Sequence, residues 1–245
     1  MIDILGMTDV GLVRRENQDA YAVRKQTESG HSVCVVCDGM GGYAGGRLAS
    51  SIAAETFMAE LEKRLRPDMT AEELQTASAQ AISMADGAIC EAAGRLPEYQ
   101  SMGTTLVSAI VFDGGAVVAN VGDSRAYYIT PRGITQVTRD HSLVEDLMAR
   151  GDITAEEARR HPKRKYVTRA LGPDADTQCD CFVCPWLPGD CLLLCTDGLV
   201  NTVTDQEMWE EVLRREPETC LDRLLHISKS RGASDNVTVV LMRNL

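Results

Sequence analysis

Four aspartates of this 245-residue chain stand where an apolar, strand-like run begins or ends, each among small residues. Asp38 and Gly39 follow residues 32–37, Asp123 and Ser124 follow 117–122, Asp197 and Gly198 follow 191–196, and Asp235 and Asn236 lead into 237–240. Strand ends in a packed sheet lie close together, so these carboxylates can converge from distant points of the chain. Clustered carboxylates repel one another, and hard divalent cations relieve that repulsion; a donor set made only of oxygen suits magnesium or manganese. The two oxygens of Asp38 can serve two cations, and Gly39 lets the next carbonyl turn toward a metal without steric cost. The pattern predicts a metal-dependent enzyme.

The elements that must position these residues follow from periodicity. Strands are predicted over 2–9, 19–26 and 31–37, then a turn over Gly41–Gly46. From Arg47 to Arg66 the residues Leu48, Ile52, Phe57, Leu61 and Leu65 keep helical spacing, and Pro67 stops the run. Thr70 and Glu73 form a capping box that opens a second helix through Leu74, Ala77, Ile82, Ala85 and Ile89. Strands over 104–112 and 116–121 flank Asp113-Gly114-Gly115, and those over 124–129 and 134–138 flank Thr130–Gly133. From Ser142 to Lys165 the chain turns polar, with short helices opened by capping boxes at Ser142/Glu145 and Thr154/Glu157, which reads as a surface insertion. Strands over 165–170, 179–184 and 191–196, helices near Asp205 and Glu218, and a last strand over 236–242 complete the chain. Paired strands beside paired helices, without regular alternation, predict an α+β fold. In it two antiparallel sheets pack face to face with helices outside, as a single domain spanning 1–245.

Composition narrows the function. An apolar content of 44% supplies an aliphatic core, and a formal charge of −11 opposes binding to nucleic acid or anionic lipid. No apolar run reaches the roughly 18 residues of a membrane span, and the N-terminus lacks a signal pattern, so a soluble cytoplasmic protein is expected. Nine scattered cysteines fit a reducing compartment. Cys179, Cys181 and Cys184 could hold zinc only with a fourth ligand, which is missing at zinc-ribbon spacing.

Seven motifs then occur in order: Gly11-x-x-Arg14-x-x-Asn17-Gln18-Asp19, Asp38-Gly39-Met40-Gly41-Gly42, Gly103-Thr104-Thr105, Gly122-Asp123-Ser124-Arg125, Asp140-His141-Ser142, Thr196-Asp197-Gly198 and Ser234-Asp235-Asn236. Together they closely resemble the metal-dependent serine/threonine phosphatases of the protein phosphatase 2C family in its compact bacterial form. The resemblance runs from about Thr8 to Val240. It implies a four-layer α-β-β-α sandwich with a flap, here about 142–165, beside a binuclear manganese or magnesium centre. Carried over by position, Asp38 bridges the two metals, Asp197 and Asp235 hold the first, the Gly39 carbonyl serves the second, and Asp19 supports that second metal directly or through water. A third, weaker site in many compact members uses the positions of Asp123 and Asp197. Arg14 matches the family's phosphate-binding arginine, and its spacing to Asp19 sets it apart from neighbouring Arg15. A guanidinium offers phosphate oxygens a planar, permanently charged fork.

The implied reaction is direct hydrolysis of phosphoserine or phosphothreonine in proteins by a metal-activated water. The implied setting is a monomer opposing a Hanks-type serine/threonine kinase. The chain departs from many eukaryotic relatives in carrying Met40 where they have a proposed acid histidine, and Gln18 where they have Glu. Met40 cannot donate a proton, which leaves His141 and His161 as candidates against the reading that both are structural or merely exposed. The basic run Arg159–Lys165 reads equally as a substrate-attracting patch or a solvated flap. Gly103-Thr104-Thr105 is read as a sheet element behind the site. The alternatives are a relative that acts on anti-anti-sigma proteins, a pseudophosphatase that only binds, and a structural calcium site. The first often carries sensor domains that are not visible here, the second should have lost a metal-binding carboxylate, and the third leaves Arg14 unexplained.

Overall fold

The computed structural model describes residues 1–95, 97–172 and 177–245. One antiparallel sheet runs in the order β1 (Ile2–Asp9), β11 (Val237–Asn244), β10 (Cys191–Cys195), β7 (Arg125–Thr130), β8 (Gly133–Gln136). The other runs β2 (Asp19–Arg24), β3 (Ser32–Met40), β5 (Leu106–Phe112), β6 (Gly115–Val121), β9 (Asp180–Cys184), with the two-residue β4 (Gly103–Thr104) paired to the end of β3.

Strand alternation explains why both sheets are covered on both faces. Val33, Val35 and Cys37 of β3 pack against α1 (Gly42–Arg64) and α2 (Ala71–Ala93), while Cys34 and Val36 face the opposite sheet. In the first sheet Leu193, Val239 and Leu241 meet α6 (Asp205–Arg214) and α7 (Pro217–Ser230), while Leu192, Leu194, Val240 and Met242 fill the space between the sheets. The result is the expected four-layer α-β-β-α sandwich.

Helix starts follow the local chemistry. Thr70, Thr154 and Thr204 each accept from the third helical N–H, while the glutamate at that position reaches back to the cap. Ser142 caps α3 (Leu143–Arg150) only in one direction, because Glu145 turns to Arg139 at 3.4 Å. Together α3 and α4 (Ala155–Arg160) form the inserted segment.

Three expectations are corrected. The first long helix begins at Gly42 rather than Arg47. A Cβ on Gly39 would meet the Gly46 carbonyl at 2.1 Å, so glycines let this helix lie against β3, a gain that offsets their weak helix propensity. No strand forms over 165–170; Val167 makes one bridge to Ser142 and Leu171 one to Thr104, so the segment crosses its partners instead of running beside one. The strand expected over 104–112 breaks at Thr105, and a short helix α5 (Asp197–Val200) starts at one of the key aspartates. Cys179 and Cys181 pack toward α1 and α2 whereas Cys184 is buried between the sheets, so these three thiols do not converge.

Candidate active site

The two sheets open at one end into a cleft of about 600 Å³ whose lining includes Arg14, Asp38, Gly39, Asp123, Asp197 and Asp235. Each comes from an element end: Asp38 and Gly39 from the end of β3, Asp123 two residues past β6, Asp197 from the start of α5, and Asp235 two residues before β11. Asp19 opens β2 as the register partner of Asp38.

Backbone bonds hold Asp38 in place. Its N–H donates to Thr105 Oγ1 at 3.0 Å, and its carbonyl accepts from the Thr105 N–H and the Thr104 hydroxyl, both at 2.9 Å. Gly103 and Thr104 are thus the sheet element that the sequence suggested, whereas Thr105 lies between strands and lines the cleft itself. Asp19 Oδ2 accepts from the hydroxyls of Thr196 at 3.0 Å and Thr238 at 2.7 Å, which ties one sheet to the other. The Gly39 N–H donates to the Gln18 carbonyl at 3.2 Å.

Arg14 sits on a loop fixed by Asn236. The Asn236 Oδ1 accepts from the Gln18 N–H at 2.9 Å, and its Nδ2 donates to the carbonyls of Val10 at 2.9 Å and Glu16 at 3.0 Å. Arg14 forks onto Asp235, with Nε to Oδ1 and Nη2 to Oδ2 both at 2.9 Å. Lys165, at the end of the inserted segment, lies 3.4 Å from the same Oδ2. Arg15 also lines the cleft, but it is Arg14 that pairs with Asp235.

The electrostatics are those of a site built for cations. Burial first, then Asp19, Asp197, Asp123 and Asp235, raise the Asp38 carboxyl well above the ordinary range. Burial, with Asp197 and Asp235, pushes Asp19 up to about 7 against the pull of its two threonine bonds. Asp123 reaches about 7 through burial, Asp197 and Asp140. Asp197 is raised by burial and Asp235, with Lys165, Asn201 and Arg14 opposing.

Among the described residues no three His, Cys, Asp or Glu side chains already surround a single ion-sized point. Their oxygens are turned to protein partners instead: Asp235 to Arg14 and Lys165, Asp197 to Asn201, and Asp19 to its threonines. Asp19 Oδ1, however, is buried without a hydrogen-bond partner, and Asp38 has four carboxylates near enough to raise its pKa. An unpartnered buried carboxylate oxygen and an all-oxygen donor set fit hard divalent cations.

Neither histidine candidate lines the cleft. His141 is buried, with Nδ1 accepting from the Gly122 N–H at 3.1 Å and Nε2 lying 3.2 Å from Asp180, so it anchors the backbone next to Asp123. His161 caps the end of α4, where its Nδ1 accepts from the Lys163 N–H at 3.2 Å. Sequence reading gave no role to Asn236, Thr196 or Thr238, and placed Lys165 only within the basic run Arg159–Lys165, with no link to Asp235. The first two stand in the quoted motifs, which was the available signal; Thr238 and Lys165 become visible only through pairing across the fold.

The model of the family described as Protein phosphatase 2C matches residues 14–223. The chain is 38% identical to the serine/threonine phosphatase Stp of Listeria monocytogenes over 237 residues, 96% of this chain and 93% of that one. It superposes on the crystal structure of the serine/threonine phosphatase Stp1 from Staphylococcus aureus with a TM-score of 0.90 at 34% identity, covering 99% of this chain and 95% of that one. For the catalytic domain of the phosphatase PstP in complex with 2 manganese ions, the TM-score is 0.85 at 28% identity, covering 99% and 97%. The chain belongs to the protein phosphatase 2C family. Its enzyme class is therefore protein-serine/threonine phosphatase, and divalent metal use comes with the family.

Proposed function

We propose that the chain removes phosphate from phosphoserine and phosphothreonine of proteins with two divalent cations, manganese or magnesium, in this cleft. The observation that carries the reading is the gathering of Asp19, Asp38, Asp123, Asp197 and Asp235 around one cleft with Arg14 at its rim. In this reading Asp38 would be a ligand of both cations, and Asp197 and Asp235 would hold the first. The Gly39 carbonyl and Asp19 serve the second, and Asp123 with Asp197 forms a third, weaker site.

When bound, the cations neutralise the carboxylates and make a nucleophilic oxygen available at neutral pH. The chain's own part is positioning. Thr104 and Thr105 fix the Asp38 backbone, and the Thr196 and Thr238 hydroxyls aim Asp19. Arg14 presents its fork to the phosphoryl oxygens, where charge gathers in the transition state. Met40 lines the cleft and no histidine does among the described residues, so the leaving serine or threonine oxygen takes its proton from water or from another group of the cleft.

The same reading treats residues 1–245 as one catalytic domain, monomeric and cytoplasmic, with 142–165 as its flap and a Hanks-type kinase as the activity it opposes. No described helix is long and apolar enough to cross a membrane. A groove of about 1100 Å³ between the flap and α5–α6 shares Asp123, Lys165 and Asp197 with the cleft, which gives a polypeptide room beside the reacting group. The test is phosphate release from a phosphothreonine peptide after chelation, with manganese, magnesium or calcium added back. Restoration by manganese or magnesium supports the reading; no release with any metal from folded protein refutes it.

A further inference from the structure

Among the described residues, Asp235 is the one cleft aspartate paired with two cations, and they reach it from different parts of the fold. Arg14 comes from the loop after β1 and Lys165 from the end of the flap, and both bonds are made to the same carboxylate. Lys165 is not a freely swinging side chain on a loose loop. The Leu143 N–H donates to the Tyr166 carbonyl at 2.9 Å and the Thr168 N–H to the His141 carbonyl at 2.8 Å, so the backbone on its C-terminal side is pinned. Both cations are half-exposed, at 52% and 53%, while the carboxylate they share is 18% exposed. Ion pairs with such exposed partners contribute little net stability, so this clamp is readily displaced by a stronger cation. With a divalent ion at Asp235, Arg14 and Lys165 would give up its oxygens and stand as two positive groups facing the cleft, beside the place where a phosphoryl group must sit.

We propose that Arg14 and Lys165 are exchangeable counter-ions of Asp235, which neutralise it before metal binds and, once displaced, both take the oxygens of the substrate phosphoryl group. The inference rests on the functional reading of the cleft and adds Lys165 to its phosphate-binding residues. It makes metal loading and phosphate binding a coupled pair, each strengthening the other by the same factor. It also gives the flap a direct part in the chemistry, through a residue at its end.

The test is calorimetric binding on the whole protein, first of magnesium to the chelated form, then of inorganic phosphate to the magnesium-saturated form. Lys165→Ala removes a competitor and a like charge, so magnesium should bind more tightly by on the order of three- to tenfold, and less so at high salt. The same variant should bind inorganic phosphate more weakly by a similar factor, and Lys165→Arg should restore both affinities. Opposite shifts in one variant distinguish exchange from general damage to the site, which weakens both. Unchanged or weaker magnesium binding in Lys165→Ala overturns the proposal, and so does unchanged phosphate binding. Because both titrations read binding, an absence of turnover in the wild type sinks the functional reading alone, whereas unmoved affinities in an active enzyme sink this one alone.

Discussion

Asp19 and Asp38 are register partners on adjacent antiparallel strands, so two buried carboxylates of one sheet stand side by side, Asp38 lining the cleft and Asp19 next to it. Like charges directly opposite destabilise a strand pair, and here burial adds to the cost. The arrangement favours metal binding over metal-free stability, and the consequences can be measured.

Asp38→Asn should lower phosphate release by about a hundredfold or more, since even residues that merely support metal ligands cost 10- to 100-fold when changed. In chelator the variant should melt no lower than wild type, because a neutral amide relieves repulsion from Asp19, Asp123, Asp197 and Asp235. Activity measured beside thermal unfolding in chelator checks both halves, and wild-type turnover would overturn the bridging role.

The metal-free protein should gain stability on mild acidification. Asp19 and Asp123 titrate at about 7 when folded, but near 3.9 when unfolded. Between those values the folded chain holds more protons than the unfolded one, so stability falls as pH rises through the window and levels off above about 7. With saturating magnesium the slope should flatten, because the bound carboxylates stay ionised and binding releases the protons. Melting curves at about pH 5 and pH 8, in chelator and in magnesium, give the comparison; a metal-free protein more stable at the higher pH contradicts the assignment.

Gly39→Ala should destabilise by about 1–3 kcal/mol, since overpacking forces the backbone apart. The new methyl would stand 2.1 Å from the Gly46 carbonyl and 2.5 Å from that of Gln18, with no side chain there to yield. Denaturant unfolding in chelator isolates this effect from metal binding.

The histidines should behave differently from each other and neither as an acid catalyst. His161→Ala should leave turnover within about twofold, because the ring lies outside the cleft and only caps a surface turn. His141→Ala should cost about 1–3 kcal/mol by stranding the buried Gly122 N–H, yet leave the acidic and basic limbs of the pH–rate profile where they were. Loss of the basic limb in either variant would assign it the acid role.

The sequence was most legible where structure is decided locally. Thr70 with Glu73 and Thr154 with Glu157 marked helix starts because cap and helix are neighbours in the chain. Residues 165–170 misled because the strand-favouring Tyr166, Val167 and Thr168 say nothing about partners, and Val167 and the following Leu171 each find one on a different segment. The glycines at 41–46 suggested a turn, although Gly46 serves a helix that must approach Gly39 closely. Within the site the aspartates could be named from their strand-end settings. The pairing of Lys165 with Asp235 could not, since it depends on how the flap lies over the opposite end of the chain.

The sheet order places β1 beside β11, the first strand of the chain beside the last. On the ribosome, Asp19 and Asp38 therefore emerge long before Asp197 and Asp235, and the N-terminal strand waits for the final one. The cleft is completed only once Asp235 and β11 have been made, so a chain that has not reached them has no means of stripping phosphate from the proteins around it.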